Sequence, residues 1–354
     1  MHELAIEIGD MPIVIRTESE DFVRMLADRY GEFVVKQASG AGGQWSVVSG
    51  QWSEQITNRQ SSIDNRQSSN PNPESRTPYP VSLVPSLDVQ IVPLGQASDA
   101  DELRVRRENG LWVMERGDFR AEYDRESGRG RVRQSLFPYA IDGVLRILHS
   151  LILAREGGFL VHAASAVRHG RAYVFAGLSG AGKTTISRLA PPDVTLLTDE
   201  ISYVRETGYG SRETGHGIRG TGSTTDMGNG PRERGNGKCP GVSSPVSRTP
   251  NPVSRDPAFL AYGTPFAGEL ARLGKKLRAP LAALFLLQQG PENRLEPVSA
   301  ARAARELMRH VLFFAEDQEL VGAIFETVCK FVQRVPVRRL VFTPDPRVWE
   351  LIGD

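Results

Sequence analysis

Hydrophobic and polar positions form distinct blocks along the first third of the chain. Residues 1–8 alternate as a β-strand does, residues 20–30 place apolar side chains at helical spacing, and residues 33–35 are apolar again. This order predicts strand, helix and strand over residues 1–35. Three further alternating runs are separated by Asn-Gly and Gly-Asp turn signals, which predicts an antiparallel meander over residues 103–106, 111–114 and 119–123.

The rest of the chain carries short apolar runs and amphipathic stretches in turn. An apolar helical face predicts a helix over residues 139–154. Short apolar runs predict buried strands over residues 158–167, 172–176, 194–198, 281–288 and 337–342. Helical spacing predicts helices over residues 300–314, 317–332 and 345–352. We expect Phe313, Phe314 and Trp349 in the core, and strands that alternate with helices indicate the α/β class.

Two segments interrupt these patterns. Residues 40–80 and 206–257 are polar, poor in apolar residues, and share the tetrapeptide Ser-Arg-Thr-Pro. Such segments cannot bury enough surface to offset their ordering entropy, so we interpret them as disordered low-complexity insertions within loops. The sequence then divides into a small N-terminal α+β domain over residues 1–135 and a second domain over residues 136–354.

A glycine-rich segment follows the strand predicted over residues 172–176. It matches the pattern G-x-x-x-x-G-K-[ST] with Gly177-Leu178-Ser179-Gly180-Ala181-Gly182-Lys183-Thr184, and Thr185 comes next. Glycines let the main chain turn tightly enough for several N–H groups to converge on one phosphate. In such a loop Lys183 reaches the β- and γ-phosphates and the Thr184 hydroxyl binds Mg²⁺. Because a strand precedes the motif and a helix follows it, we predict that residues 177–185 bind ATP and Mg²⁺.

An acidic pair, Asp199 and Glu200, ends the strand predicted over residues 194–198. A carboxylate at such a strand end can hold the Mg²⁺ of the nucleotide, directly or through water. If it lies nearer the substrate, it can instead accept the proton of an attacking hydroxyl. We expect Asp199 to act as metal ligand and base with assistance from Glu200; a solvated strand end is the alternative.

Composition limits the class of protein. Lys+Arg 43 against Asp+Glu 42 leave a formal charge of +1, so no basic field favours nucleic acid. The apolar stretches are too short to span a membrane, the N-terminus does not resemble a signal peptide, and Cys239 and Cys329 lie in unrelated contexts. We expect a cytoplasmic protein that binds a nucleotide and neither nucleic acid nor membrane, and a homo-oligomer stays open.

Residues around the glycine-rich segment 177–184, a pattern known as the P-loop, permit a family comparison. The strand over 158–167, a turn at His169-Gly170 and the P-loop strand together resemble the C-terminal catalytic domain of the HPr kinase/phosphorylase family. In that family a histidine lies on the strand before the P-loop strand, and an Asp-Asp pair follows the P-loop helix. His162 matches the histidine and Asp199 the first aspartate, whereas Glu200 replaces the second. The resemblance covers residues 140–205 and, more loosely, 258–354.

The resemblance implies catalytic roles for His162, Lys183, Asp199 and Glu200. Histidine is the usual general acid or base near neutral pH, although a lone histidine on an apolar strand is also a common core residue. Five further histidines have no such context and are expected at the surface or in structural positions: His2, His149, His169, His216 and His310.

The P-loop also resembles that of the ATP-dependent phosphoenolpyruvate carboxykinases, whose acidic motif follows a short strand as well. Those enzymes are much longer and carry additional lysine, histidine and arginine ligands, and no segment here supplies that set. The expected fold is therefore an α/β P-loop nucleotide-binding domain of the HPr-kinase/phosphoenolpyruvate carboxykinase-like type. A small N-terminal α+β domain and two low-complexity insertions would accompany it.

A loop rich in glycine and proline over residues 261–269 is similar to one that faces the active site in kinase-like relatives. The resemblance implies substrate contacts by Thr264, Gly268 and Glu269; an ordinary connection is the alternative. Four basic residues follow closely, and we expect most of them on a solvated surface: Arg272, Lys275, Lys276 and Arg278.

The function implied is an ATP-dependent kinase. It would transfer the γ-phosphoryl group to a hydroxyl, either of a serine in a protein or peptide or of a small molecule. The main alternative is a nucleotide-binding switch or assembly module without phosphoryl transfer. A carboxykinase-like enzyme is the third.

Overall fold

The chain begins with a β-hairpin where the sequence predicted a single strand. The computed structural model describes residues 1–35, 47–48, 51–52, 84–95, 101–208 and 257–353. Strands β1 (His2–Ile8) and β2 (Met11–Thr17) pair antiparallel around Gly9 and Asp10, which both have positive φ angles of 66° and 58°. The prediction was wrong because β2 is buried on both faces, so its alternation is hidden.

Helix α1 (Glu20–Tyr30) has the predicted bounds. The hydroxyl of Ser19 caps it by accepting a hydrogen bond from the backbone N–H of Phe22 at 3.2 Å. A 3₁₀ turn (Gly31–Phe33) follows, and the next strands are β3 (Val34–Val35), β4 (Val47–Val48), β5 (Gln51–Trp52), β6 (Ser86–Ile91), β7 (Arg104–Glu108), β8 (Leu111–Arg116), β9 (Phe119–Asp124) and β10 (Arg129–Gln134).

The first sheet has the strand order β3-β1-β2-β6-β10-β9-β8-β7 within the described residues. The predicted meander is confirmed as β7, β8 and β9, which pair antiparallel. Its first turn uses Asn109 and Gly110, both at positive φ. β6 pairs parallel with both β2 and β10, so it joins the N-terminal hairpin to the meander.

The two predicted insertions lie mostly outside the described residues. Within residues 40–80 the structure describes only the short hairpin of β4 and β5. Within residues 206–257 it describes only 206–208 and 257. The predicted domain boundary at residue 135 falls in the connection between β10 and the following helix.

The second half supplies helix α2 (Pro138–Arg155), confirmed from the sequence, and then the elements around the P-loop. These are β11 (Gly158–Arg168), β12 (Arg171–Ala176), α3 (Lys183–Arg188), β13 (Val194–Thr198), β14 (Ile201–Glu206), β15 (Phe259–Tyr262), β16 (Arg278–Gln289), β17 (Arg294–Pro297), α4 (Ala300–Met308), β18 (Val311–Leu312), α5 (Gln318–Arg334) and β19 (Val337–Phe342). A 3₁₀ turn (Pro346–Leu351) closes the described chain.

Two long strands shape the second sheet. The first half of β11 pairs with β14, and its second half pairs with β12 and β13. In the same way β16 pairs first with β15 and then, parallel, with β12 and β19. The P-loop strand β12 therefore lies between two strands that each bridge different parts of the sheet.

Several predictions for this half were wrong in part: two bounds, one helix type and the burial of two phenylalanines. The helix predicted over 300–314 ends at Met308, because β18 takes up the next residues and pairs with β11. The loop predicted over 261–269 begins inside β15. The closing helix is a 3₁₀ turn, with Trp349 buried in the core as expected, whereas Phe313 and Phe314 are only half-buried.

A buried carboxylate joins α1 to α2. Asp142 of α2 accepts hydrogen bonds from Arg29 Nε at 3.0 Å and from the Tyr30 hydroxyl at 2.6 Å, and it forms an ion pair with Arg29. One apolar core runs from the first sheet through α2 to β11, and a second lies beneath the P-loop around Phe175, Ile186, Phe342 and Trp349. The described part is thus a mixed α/β structure of sheets with few helices.

In the ranges that the structure describes, no helix combines the length and apolar character needed to cross a membrane.

Candidate functional site

The strand and the helix predicted on either side of the glycine-rich segment are confirmed as β12 and α3, and residues 177–182 form the loop between them. Gly180 and Gly182 have φ angles of 78° and 107°, which favour glycine over any residue with a Cβ atom. A Cβ on Gly182 would also lie 2.5 Å from the ring of Phe342. The end of β19 therefore supports the loop directly, and substitution of this glycine would displace it.

The two ends of the loop lie close together. The Ala181 N–H donates to the carbonyl of Leu178 at 3.0 Å, and a Cβ on Gly177 would lie 2.7 Å from the Cβ of Ala181. Gln289, at the end of β16, donates to the carbonyl of Gly180 at 2.6 Å. Leu178, Ser179 and Gly180 are exposed, so the tip of the loop faces solvent.

Lys183 folds back over its own loop. Its Nζ donates to the carbonyls of Gly177 at 2.9 Å and Leu178 at 3.3 Å, and the residue is 8% exposed. Burial lowers the pKa of Lys183, and the negative charges of Glu200 and Glu269 act against this change. The ammonium group is thus held at the loop with carboxylates close by.

Thr184 and Glu269 connect the P-loop to residues 263–270, which we call the cover loop. The Thr184 hydroxyl donates to Glu269 Oε2 at 2.9 Å, and the Glu269 side chain is exposed. Thr185 lies one residue further along α3 and is half-buried. Two residues predicted separately, a metal-binding threonine and a substrate-binding glutamate, are therefore neighbours.

Asp199 anchors the cover loop. Its Oδ1 accepts the N–H of Gly268 and its Oδ2 accepts the N–H of Leu270, each at 2.9 Å, and the residue is 5% exposed. Both carboxylate oxygens are therefore occupied by backbone donors. The sequence predicted Asp199 as metal ligand and base, but in this arrangement its contacts are those of a loop anchor.

Glu200 faces the P-loop instead. Its Oε1 lies 3.5 Å from Nε2 of His162, with side-chain exposures of 33% and 35%. Contact with His162 lowers the pKa of Glu200, and the positive charges of Arg146 and Lys183 lower it further. A Cβ on Gly268 would lie 2.7 Å from Glu200 Oε2, so the cover loop passes directly over this carboxylate.

Thr264 lies inside the protein. It is fully buried, its hydroxyl donates to the carbonyl of Ile201 at 2.8 Å, and its N–H donates to the carbonyl of Leu197 at 3.2 Å. Its side chain ties the start of the cover loop to β14 and its backbone N–H ties it to β13, so the buried side chain is not open to a substrate. Of the three predicted substrate contacts, Gly268 and Glu269 lie at the site and Thr264 supports it.

Two residues at the site had no functional role in the sequence prediction. The positive charge of Arg146 on α2 helps to lower the pKa of Glu200. The backbone carbonyl of His310 accepts a hydrogen bond from the backbone N–H of His162 at 2.7 Å. His310 is buried, and burial together with Lys183 and His162 lowers its pKa. An available signal for Arg146 was its position as the one Lys, Arg, Asp or Glu within the mainly apolar stretch 144–154, since arginine is rarely buried unless it is paired.

Three basic residues after the cover loop form ion pairs with the N-terminal part of the chain. Lys275 and Lys276 pair with Glu32 and Glu7 at 3.4 and 3.3 Å, and Arg278 pairs with Asp10. They connect the region after the cover loop to the N-terminal hairpin and to the 3₁₀ turn after α1.

The donor set fits a Mg²⁺-nucleotide better than a metal held by protein alone. Among the described residues no group of three or more His, Cys, Asp or Glu side chains could hold a metal ion. Mg²⁺ is usually bound through one or two protein ligands together with phosphates and waters. Thr184 and Glu269, whose side-chain oxygens lie 2.9 Å apart next to Lys183 and the glycine loop, could supply such ligands.

No protein-family model matches the chain, and no curated protein matches its sequence.

Proposed function

We propose that this chain is an ATP-dependent kinase that transfers the γ-phosphoryl group to a hydroxyl, of a serine in a protein or peptide or of a small molecule. The observation that carries the proposal is the position of Glu200, a carboxylate in contact with His162 and within reach of the charge on Lys183. A P-loop lysine and a carboxylate that can accept the proton of the attacking hydroxyl are among the groups that recur at phosphoryl-transfer sites.

The P-loop would hold the phosphates. Backbone N–H groups of residues 177–184 would bind the phosphate oxygens, and the Lys183 ammonium would exchange the carbonyls of Gly177 and Leu178 for the β- and γ-phosphates. Charge-assisted bonds to phosphate are stronger than bonds to neutral carbonyls, so this exchange is favourable.

Thr184 and Glu269 would hold Mg²⁺. When bound, the ion would neutralise negative charge on the β- and γ-phosphate oxygens. The Thr184 hydroxyl and the Glu269 carboxylate already lie 2.9 Å apart beside the phosphate loop. This assignment keeps Thr184 as predicted and gives Glu269 the role that the sequence gave to Asp199.

Glu200 would act as the base. Its lowered pKa keeps it ionised at neutral pH, and the contact with His162 orients it. In the transfer step the acceptor hydroxyl oxygen forms a bond to the γ-phosphorus, the bond from that phosphorus to the ADP oxygen breaks, and the hydroxyl proton passes to Glu200. Asp199 would hold the cover loop above the reacting groups.

A nucleotide-binding switch is the second candidate, and the Thr184–Glu269 contact favours it. Binding of Mg²⁺ and phosphate at the P-loop would replace this hydrogen bond, and the cover loop would then lose one of its links to α3. A protein of this kind would bind ATP and change the conformation of residues 263–270 without transferring phosphate.

The test is an assay with γ-labelled ATP, Mg²⁺ and a panel of hydroxyl acceptors: serine-containing peptides, free serine, glycerol and sugars. Wild type should transfer label to at least one acceptor, K183M should bind ATP more weakly, and E200Q should bind ATP with transfer strongly reduced. K275M, at an exposed lysine paired with Glu32, is the matched control. ATP binding with neither transfer nor hydrolysis would favour the switch, and wild-type protein that does not bind ATP would contradict both candidates.

A further inference from the structure

Arg146 is a half-buried arginine without a hydrogen bond or ion pair among the described residues. Its Nε is buried and has no partner, and its guanidinium lies over the ring of Phe266, with Cζ 4.8 Å from the ring centroid. Stacking on an aromatic ring leaves the in-plane N–H donors of a guanidinium available. Arg146 therefore presents unused donors beside the cover loop, which contains Phe266.

The nearby Asp142 is not the partner of Arg146. Asp142 lies one helical turn earlier on α2, but its carboxylate already binds Arg29 and the Tyr30 hydroxyl. Burial lowers the pKa of Arg146, while Asp142 and Glu200 act against this change. A positive charge in such a place is costly unless it is paired, and perturbed charges of this kind cluster at functional sites.

Glu200 is the group that Arg146 and Lys183 share. The negative charges of Glu200 and Glu269 act to raise the pKa of Lys183. Those of Asp142 and Glu200 act to raise the pKa of Arg146. Arg146 lies against Phe266 of the cover loop, two residues before Gly268, and a Cβ on Gly268 would lie 2.7 Å from Glu200 Oε2. An acceptor whose hydroxyl reaches Glu200 would bring its neighbouring groups toward Arg146.

We propose that Arg146 binds an anionic group of the phosphoryl acceptor, a carboxylate or a phosphate carried near the reacting hydroxyl. This inference rests on the proposed kinase function and names the class of acceptor that the site would select. The planar guanidinium matches the paired oxygens of either group. Glu200 would repel an anion placed directly beside it, so the acceptor must present its hydroxyl to Glu200 and its anionic group to Arg146.

Anion binding can be measured on the full chain without any transfer reaction. The Nε–Hε resonance of Arg146, assigned by its loss in R146K, would be followed by NMR during titration with inorganic phosphate and, separately, with acetate. Both titrations would be repeated in K183M, which removes the P-loop cation. We expect a saturable shift of the Arg146 resonance with at least one probe in both proteins, and the tighter probe identifies the anionic group.

Two variants of α2 complete the test. R146M should raise the KM for the acceptor about tenfold or more while the KM for ATP stays the same. R146K should bring the acceptor KM part of the way back to the wild-type value. R155M, on the same helix at an arginine paired with Glu319, is the matched control. Circular dichroism and thermal unfolding would verify that each variant folds.

An Arg146 resonance that does not respond to either probe would overturn the proposal, as would an unchanged acceptor KM in a folded R146M. These results are distinct from failure of the proposed function. If the protein does not bind ATP, the kinase proposal fails even where Arg146 binds phosphate or acetate. If the protein transfers phosphate but the Arg146 resonance does not shift with either probe, only this inference fails.

Discussion

Asp199 and Glu200 are adjacent in sequence but have different partners. Both oxygens of Asp199 accept backbone N–H groups of the cover loop, at 2.9 Å each, whereas Glu200 lies 3.5 Å from His162 Nε2 and below Gly268. One carboxylate therefore holds the cover loop in place, and the other contacts His162 and is the base of the proposed reaction. The predictions below follow from this division.

Glu200→Gln should slow phosphoryl transfer strongly and leave the fold and the ATP affinity unchanged. The amide cannot accept the hydroxyl proton, so we expect the transfer rate to fall about 10²- to 10⁴-fold, the usual contribution of a general base. The measurement is single-turnover transfer from γ-labelled ATP. A rate in E200Q within a factor of two of wild type would exclude Glu200 as the base.

Asp199→Asn should instead destabilise the cover loop. One of the two backbone N–H groups would face an amide NH₂ in place of a carboxylate oxygen, and the loss of a hydrogen bond to a charged group costs about 2 kcal/mol. Urea unfolding monitors the free energy, and hydrogen exchange should increase at the amides of Gly268 and Leu270. If protection at those amides is unchanged, Asp199 is not the anchor of this loop.

Lys183→Met should weaken ATP binding roughly tenfold to a hundredfold, since a charged bond to phosphate is lost. Stability should not fall, because the substitution removes a buried charge whose pKa burial has already lowered. Calorimetric titration with ATP and thermal unfolding measure the two effects. Equal ATP affinity in K183M and wild type would rule out the P-loop as a nucleotide site.

Gly268→Ala should displace Glu200. The added Cβ would lie 2.7 Å from Glu200 Oε2 and 3.0 Å from Asp199 Oδ2, so the carboxylates or the cover loop must move. A shift of about 1 Å at a catalytic group can cost on the order of a hundredfold in rate.

The matched control for Gly268→Ala is Gly322→Ala on α5, where an added Cβ meets nothing within 4 Å. Alanine is the better helix former, so this variant should be about 0.5–1 kcal/mol more stable with unchanged activity. A G268A variant as active as G322A would argue against close coupling of the cover loop to Glu200.

His149→Phe should reduce the sensitivity of stability to acid. Burial lowers the pKa of His149 from 6.5 to about 3, so between these values the unfolded chain binds the proton and the folded protein does not. The free energy of unfolding therefore falls as pH falls through this window, by about 1.4 kcal/mol per pH unit.

Removal of this imidazole should lower the slope between pH 6 and 4 by about one proton. Urea unfolding at a series of pH values gives the slope, and His2→Phe at an exposed position is the control. An H149F slope equal to that of wild type would mean that this imidazole takes up protons in the folded state as readily as in the unfolded one.

Local patterns were sufficient for much of the fold. The bounds of α1 and β19, the meander of β7 to β9, and the strand and helix on either side of the P-loop all follow from hydrophobic spacing and turn residues, which act between near neighbours. The sequence failed where a strand is buried on both faces, as in β2, and where distant pairing ends a helix, as β18 does to α4.

The sequence by itself determined the phosphate-binding pattern on which the proposal rests, a glycine loop with Lys183 and Thr184, because that pattern is contained in eight consecutive positions. Only the tertiary structure decided which of the two adjacent carboxylates, Asp199 or Glu200, is held by the cover loop and which is not. The path of the cover loop, 69 residues away from Asp199 in the chain, occupies Asp199 and leaves Glu200 open. The same holds for Arg146, whose position beside Glu200 depends on how α2 packs, since spacing along the chain does not encode contacts between distant segments.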